Sequence, residues 1–293
     1  MGGRTRGIFI IKMIAGIKKL EENLILAEIY FNNQLQLLRH ICDKAVLKKR
    51  SSQVKILLAS SCTTGTALAI LGKNYRDFYT ETVMLSRSFL EKITNFCYLQ
   101  ICPEEDFNRF LLHPWYRQYH NLNRSKSTAN KTLKINFSGI DSFKEIPQVR
   151  DALEKFSDQN GNKNWSKKSI DEKVRFIADN TNIDIGFFLL NTISIYSNAS
   201  ESLHGSLFGC SYHTGIYDPS IDHKDAVGVL SNILKNLILL YAQMGSLVHI
   251  AIQMLHNENK KIIDFLETSF KNQKDSINFM SAIFDRKQNK NGS

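Results

Sequence analysis

From Asn236 to Asn257 the chain runs without a single Asp, Glu, Lys or Arg. A run this long has two stable homes, the middle of a helical bundle or a bilayer, and both demand helix. Two shorter stretches, Ile56 to Gly72 and Ile185 to Ser200, are equally free of these charges. The longest carries Asn236, Gln243, His249, Gln253 and His256, and Ile185 to Ser200 carries Asn191, Tyr196 and Asn198. Such groups are expensive in lipid. The expectation is therefore the buried core of a large helical domain, with a membrane-associated protein as the lesser alternative.

Chain breakers are scarce, 15 Gly and 4 Pro in 293 residues, and 43% of the chain is hydrophobic. This favours long helices over many short strands and supplies enough apolar surface for a sizeable core. Apolar residues recur at helical spacing over 14–48, where Leu20, Leu24, Leu26, Ile29, Tyr30, Leu35, Leu37, Leu38, Ile41 and Val46 mark the inner face. Further helices are expected over 52–72, 75–101, 103–124, 145–157, 166–181, 183–204, 222–257 and 259–285. Gly72 stops the second, and Pro103 with Glu104, Glu105 and Asp106 opens the fourth on its positive dipole end. No strand pair and no repeat period reads out. The predicted fold is all-α, a multi-helix bundle of eight or nine helices. It is expected to be a single domain over 13–286 with two long irregular connections, 125–145 and 205–222. Residues 1–12 read as a disordered extension, with Met13 a candidate start, and 287–293 as a frayed tail.

The opening "MGGRTRGIFIIKMIAGIKK" is not read as a signal peptide, because Lys12 interrupts the apolar run and no small-residue cleavage site follows. Five cysteines, at 42, 62, 97, 102 and 210, form no Cys-x-x-Cys pair and no even framework. A reducing, cytoplasmic setting follows as the expectation. No Walker loop, G-x-G-x-x-G or His-x-x-x-His occurs, so neither cofactor nor metal is expected.

Two polar constellations stand out. In "LSRSFLEKITNFCYLQ" Arg87, Glu91 and Asn95 are four residues apart on one helix face, crowded by Leu85, Phe89, Leu90, Ile93, Phe96 and Leu99. Charges in so apolar a helix must be paired. They form either an internal ion pair or the floor of a site, with Arg87 available for a phosphate. In "YSNASESLHG" Tyr196, Ser200 and His204 are again four apart and line one stripe of a continuous helix. His204, beside Gly205, reads either as a cap on the last carbonyls or as a general acid or base at a helix end.

Together these segments, "R-S-F-L-E-K-x-x-N" and "Y-x-x-x-S-x-x-x-H-G", resemble a family of bacterial all-α proteins of unknown function. In that family an Arg and a Glu on an early core helix recur with a Ser and a His on a late one. The resemblance covers about residues 50–255 and implies Arg87, Glu91, Ser200 and His204 as catalytic-site candidates, with Asn95 and Tyr196 supporting. It also implies a role in phage defence. A more distant likeness is to the higher-eukaryote and prokaryote nucleotide-binding superfamily of small helical RNases and toxins. The chain departs from their Arg-x4-6-His pattern: Arg109 to His113 and Arg117 to His120 are both too closely spaced. Metal-independent RNA cleavage would require Arg87 to hold a phosphate while His204 takes the 2′-OH proton.

Net charge is +10, which favours acidic partners. Between Asp106 and Asp141 there is no acidic residue, while Arg109, Arg117, Arg124, Lys126, Lys131 and Lys134 are interleaved with Phe110, Trp115, Tyr116 and Tyr119. Cations among aromatics suit single-stranded nucleic acid, RNA before DNA. The bland alternative is a solvated helix face leading into a basic loop. Two functional readings result: a nucleic-acid-directed, RNase-like effector, or a non-catalytic interaction protein whose Arg/Glu/Ser/His set is a structural network. A protein partner or a homodimer is compatible with either.

Overall fold

Leu24, Ala27, Phe31, Leu35, Leu38 and Ile41 follow one another at three- and four-residue steps, and all are buried. That stripe is the inner face of helix α1 (Gly2–Lys44). Leu26 and Ile29, also expected inward, are half exposed on its other side. The computed structural model describes residues 2–45, 47–157, 164–183, 186–196, 199–200, 203–204 and 223–256, together with Glu267 and Lys271. The helix expected over 259–285, the tail at 287–293 and the connection 205–222 lie outside the described residues. The expected disordered extension at 1–12 is instead helical from Gly2, the first turns of α1.

The fold is all-α with one small hairpin. The single domain expected over 13–286 divides instead into two compact units, one of residues 1–100 and 173–293 and one of residues 101–172. The first contains α1, α2 (Lys49–Lys73), all but the last residue of α3 (Tyr75–Ile101), most of α7 (Ile170–Asn180), α8 (Gly186–Asn191), a π-helical turn at Thr192–Tyr196, and α9 (His223–His256).

Helix α9 contains the charge-free run as far as His256, and the most apolar 18-residue stretch within Ala226–Leu255 is 89% buried. It packs chiefly on α1. Tyr241 stacks on Phe31 with ring centroids 5.5 Å apart and donates its hydroxyl to the Leu68 carbonyl of α2 at 3.1 Å. Helix α2 is also long and apolar enough to cross a membrane, but only 44% of its window is buried. Glycines permit close helix packing at specific points. A Cβ on Gly72 would meet the Tyr241 hydroxyl at 1.8 Å, and one on Gly245 the Tyr30 ring at 2.2 Å. In α3, Phe89, Leu90, Ile93, Phe96, Tyr98 and Leu99 are wholly buried. Each such side chain contributes roughly 1.5–3 kcal/mol relative to exposure.

The second unit is built on α4 (Glu104–Leu122), whose first turn carries Glu104, Glu105 and Asp106 as expected and which runs through Pro114. Its core is Tyr116, Ala152 and Phe156, joined by Leu112, Trp115 and Leu153. Helices α5 (Ile140–Lys144) and α6 (Pro147–Lys155) complete it. The irregular connection expected from residue 125 is instead an antiparallel hairpin, β1 (Asn123–Ser127) and β2 (Thr132–Asn136), followed by α5. A hairpin with water on both faces does not need the apolar alternation by which strands are recognised.

Candidate functional site

Helix α3 turns Glu81, Met84, Ser88 and Glu91 to one side, at steps of three or four residues, and Arg87 sits among them. Arg87 is mostly buried, with its side chain 20% exposed. All three guanidinium nitrogens are used. Nε donates to Glu91 Oε1 at 3.0 Å, Nη1 to Ser200 Oγ at 2.6 Å and Nη2 to Tyr196 Oη at 2.9 Å. The guanidinium carbon also lies 4.1 Å from the centre of the Tyr196 ring. Two segments more than a hundred residues apart are thus joined through one side chain.

The partner segment is not the continuous α-helix expected over 183–204. Helix α8 ends at Asn191 and the backbone widens into the π-turn Thr192–Tyr196. Helical geometry is present again at residues 199–200, and the His204 amide donates to the Ser200 carbonyl at 3.0 Å. Tyr196, at the end of the π-turn, and Ser200, four residues on, both reach Arg87. π-Turns of this kind concentrate at functional sites.

His204 is exposed and makes no bond to Arg87. It lines, with Arg87 and Glu91, a cleft of about 670 Å³. Arg87, Glu91, Tyr196 and Ser200 are therefore brought into one bonded cluster, and His204 into the cleft beside it. Asn95 is not part of this cluster. One turn beyond Glu91, its Oδ1 accepts from Lys173 Nζ of α7 at 2.8 Å. Lys173 is buried, 5% exposed. It was not singled out in the sequence analysis, although its position beside Val174 and one turn from Ile177 puts it on the apolar face of α7.

The arrangement limits what Arg87 can do. Its charge is matched by Glu91, and its donors point at neutral hydroxyls within the chain. Holding a phosphate would require breaking one of those bonds. Burial pushes the Cys42 thiol up to about 11 and the Cys62 thiol up to about 12, and it raises Cys97 as well, so none of these is a thiolate near neutral pH. Among the described residues no group of three or more His, Cys, Asp or Glu is placed to hold a metal ion.

The basic window of the second unit is split by its packing. Arg109 is not a surface cation. It is 6% exposed, donates to the Trp165 and Lys155 carbonyls at 3.2 and 3.3 Å, and lies 4.6 Å from the Phe156 ring centre. Phe110 packs edge-on to Trp165, and Trp115 packs on the Tyr116–Phe156 core. Arg117 and Tyr119 are half-buried. Arg124, Lys126, Lys131 and Lys134 are fully at the surface, Arg124 donating to Asn121 Oδ1. The register pairs Arg124 with Ile135 and Lys126 with Leu133, while Lys134 pairs with Ser125. Strand side chains alternate, so Arg124 and Lys126 share one face of the hairpin and Lys134 belongs to the other.

Fold and site together define an all-α protein whose Arg–Glu helix is bound to a later Tyr–Ser segment. The chain belongs to DUF5677, a family of unknown function whose model matches residues 54–223, more than half of its length. That span contains both halves of the Arg87 cluster. No curated protein and no solved structure matches the chain. The distant likeness to the helical RNases and toxins is not confirmed by these comparisons.

Proposed function

We propose that the chain is a nucleic-acid-directed helical protein which engages single-stranded RNA through its hairpin, with the Arg87 cluster serving as an internal clamp. The observation that carries this reading is the set of four exposed cations, Arg124, Lys126, Lys131 and Lys134, on a hairpin open to water, in a stretch with no carboxylate from Phe107 to Ile140. Phosphates find cations there without competing anions. Tyr119, in the last turn of α4, offers a ring on which a base can stack.

The test is fluorescence anisotropy with a single-stranded RNA across a salt series. Affinity should fall steeply with salt, and reversing Arg124 and Lys126 together should reduce the slope by about 1.4 or more. Reversing Lys134 alone should act less, because it belongs to the opposite face. Binding that ignores salt, or survives the double reversal unchanged, ends this reading.

A second reading is an RNase-like cytoplasmic effector, including in phage defence. It is favoured by His204, an exposed imidazole at the cleft that also receives Arg87 and Glu91. His204 would take the 2′-OH proton, and Arg87 would release Ser200 or Tyr196 to hold the phosphate. His204→Ala should then abolish RNA cleavage while leaving the melting temperature unchanged. Cleavage that persists in that variant removes His204 from the chemistry.

A further inference from the structure

The cleft beside Arg87 has a character opposite to that of the chain as a whole. The protein carries a net charge of +10. Among the described residues that line the cleft, the one cation, Arg87, is already neutralised by Glu91 at 3.0 Å. What faces the space is a set of acceptors. Glu81 is an exposed carboxylate with no partner among the described residues. Glu91 gives one oxygen to Arg87, and its second is uncommitted within the described residues. His204 and Ser88 are the other polar lining residues among those described.

The rest of the wall is apolar. Leu71 comes from α2, Met84 and Leu85 from α3, and Leu203 from the segment after the π-turn. Glu81 and Glu91 are ten residues apart on one helix, about 15 Å along its axis. Met84, Leu85 and Ser88 occupy the interval. The helix thus presents an unpaired anion at one end, a neutralised ion pair at the other, and hydrocarbon between them.

We propose that this cleft is a binding site for a small organic cation: an aliphatic amine whose ammonium pairs with Glu81 and whose hydrocarbon body lies along Met84, Leu85 and Leu203. The choice follows from charge and shape. A phosphate or carboxylate ligand would meet the unpaired Glu81 at one end and, at the other, an Arg87 already matched by Glu91. A purely apolar ligand would leave the Glu81 end unused. An amine pairs with Glu81 and buries its chain against the leucines and the methionine. This inference is independent of RNA binding by the hairpin, since it assigns a different ligand to a different unit, and it stands against the RNase-like reading, which would seat a phosphate in this same cleft.

Isothermal titration with octylamine, octanol and octanoate tests it, because the hydrocarbon is constant and only the head group's charge changes. Octylamine should bind most tightly and octanoate least. Glu81→Gln, a surface change that leaves the Arg87 bonds in place, should weaken octylamine by about five-fold, the scale of one solvent-exposed ion pair, and leave octanol unchanged. Octanol or octanoate binding as well as octylamine would overturn the proposal. So would the absence of any octylamine binding, or a Glu81→Gln variant with wild-type affinity for it. RNA anisotropy on the same variant keeps the two readings apart, since Glu81→Gln should leave RNA affinity unchanged.

Discussion

Arg87 both stacks on Tyr196, 4.1 Å from the ring centre, and donates a 2.9 Å hydrogen bond to that residue's hydroxyl. With Ser200 and Glu91 as its other acceptors, one mostly buried guanidinium fixes the angle and depth at which the late segment meets α3. A lysine keeps the charge but has neither the planar fork nor the stacking face. Arg87→Lys is therefore expected to lower stability by about 1–3 kcal/mol, the range for losing charge-assisted bonds that leave partners unsatisfied. Tyr196→Phe keeps the stacking and loses one bond, so its loss should be smaller, about 1 kcal/mol. Denaturant titration reads both. An Arg87→Lys protein as stable as wild type would leave the clamp without energetic meaning.

His249 is buried in α9, 1% exposed, and burial holds its imidazole down at about 4 against an ordinary 6.5. Between those values the unfolded chain takes up a proton that the folded chain refuses. Stability must then rise with pH through the window, being fully present above about 6.5 and lost as pH falls toward 4. The loss expected from this residue is about 3 kcal/mol. Stability curves measured from pH 7 to 4 for wild type and His249→Gln should differ in slope over that interval. Identical slopes would show that the residue does not titrate as its burial requires.

Gly72 and Tyr241 are in closest approach where α2 meets α9. Gly72→Ala would drive a methyl group into the Tyr241 hydroxyl, 1.8 Å from the added carbon, with the ring carbon that bears the hydroxyl at 2.8 Å. Overpacking of this kind costs about 1–3 kcal/mol. Tyr241→Phe in the same chain removes the nearest atom and should recover part of the loss, giving a non-zero coupling in a double-mutant cycle. Additive effects would mean that the two residues do not touch.

The sequence exposed the Arg87 cluster because its parts lie at four-residue spacing within two apolar segments, and only paired charges survive in such surroundings. It also exposed the core helices, since Asn236 to Asn257 has few other places to go. Other features left no pattern to read. A π-turn has no composition of its own, so residues 183–204 read as one helix. The hairpin has Leu133 and Ile135 among polar residues and no glycine in its turn, which is the profile of a loop. Asn95 looked like a third member of the Arg87–Glu91 face because spacing alone does not reveal that Lys173 arrives from another helix to take it.

The Lys173–Asn95 bond has a consequence for how the chain is threaded. The first unit is left after Gln100 and re-entered at Lys173. Just inside that gateway Lys173 is tied to Asn95, and Phe176 packs edge-on against Tyr98 at 5.3 Å. Exit and return are thus stitched side by side within the first unit. The intervening 101–172 segment is, in topological terms, a long loop with a closed neck. Excising it and bridging the neck with a short linker would leave the residues that hold Arg87 joined as before, and the hairpin proposed to bind RNA would be gone.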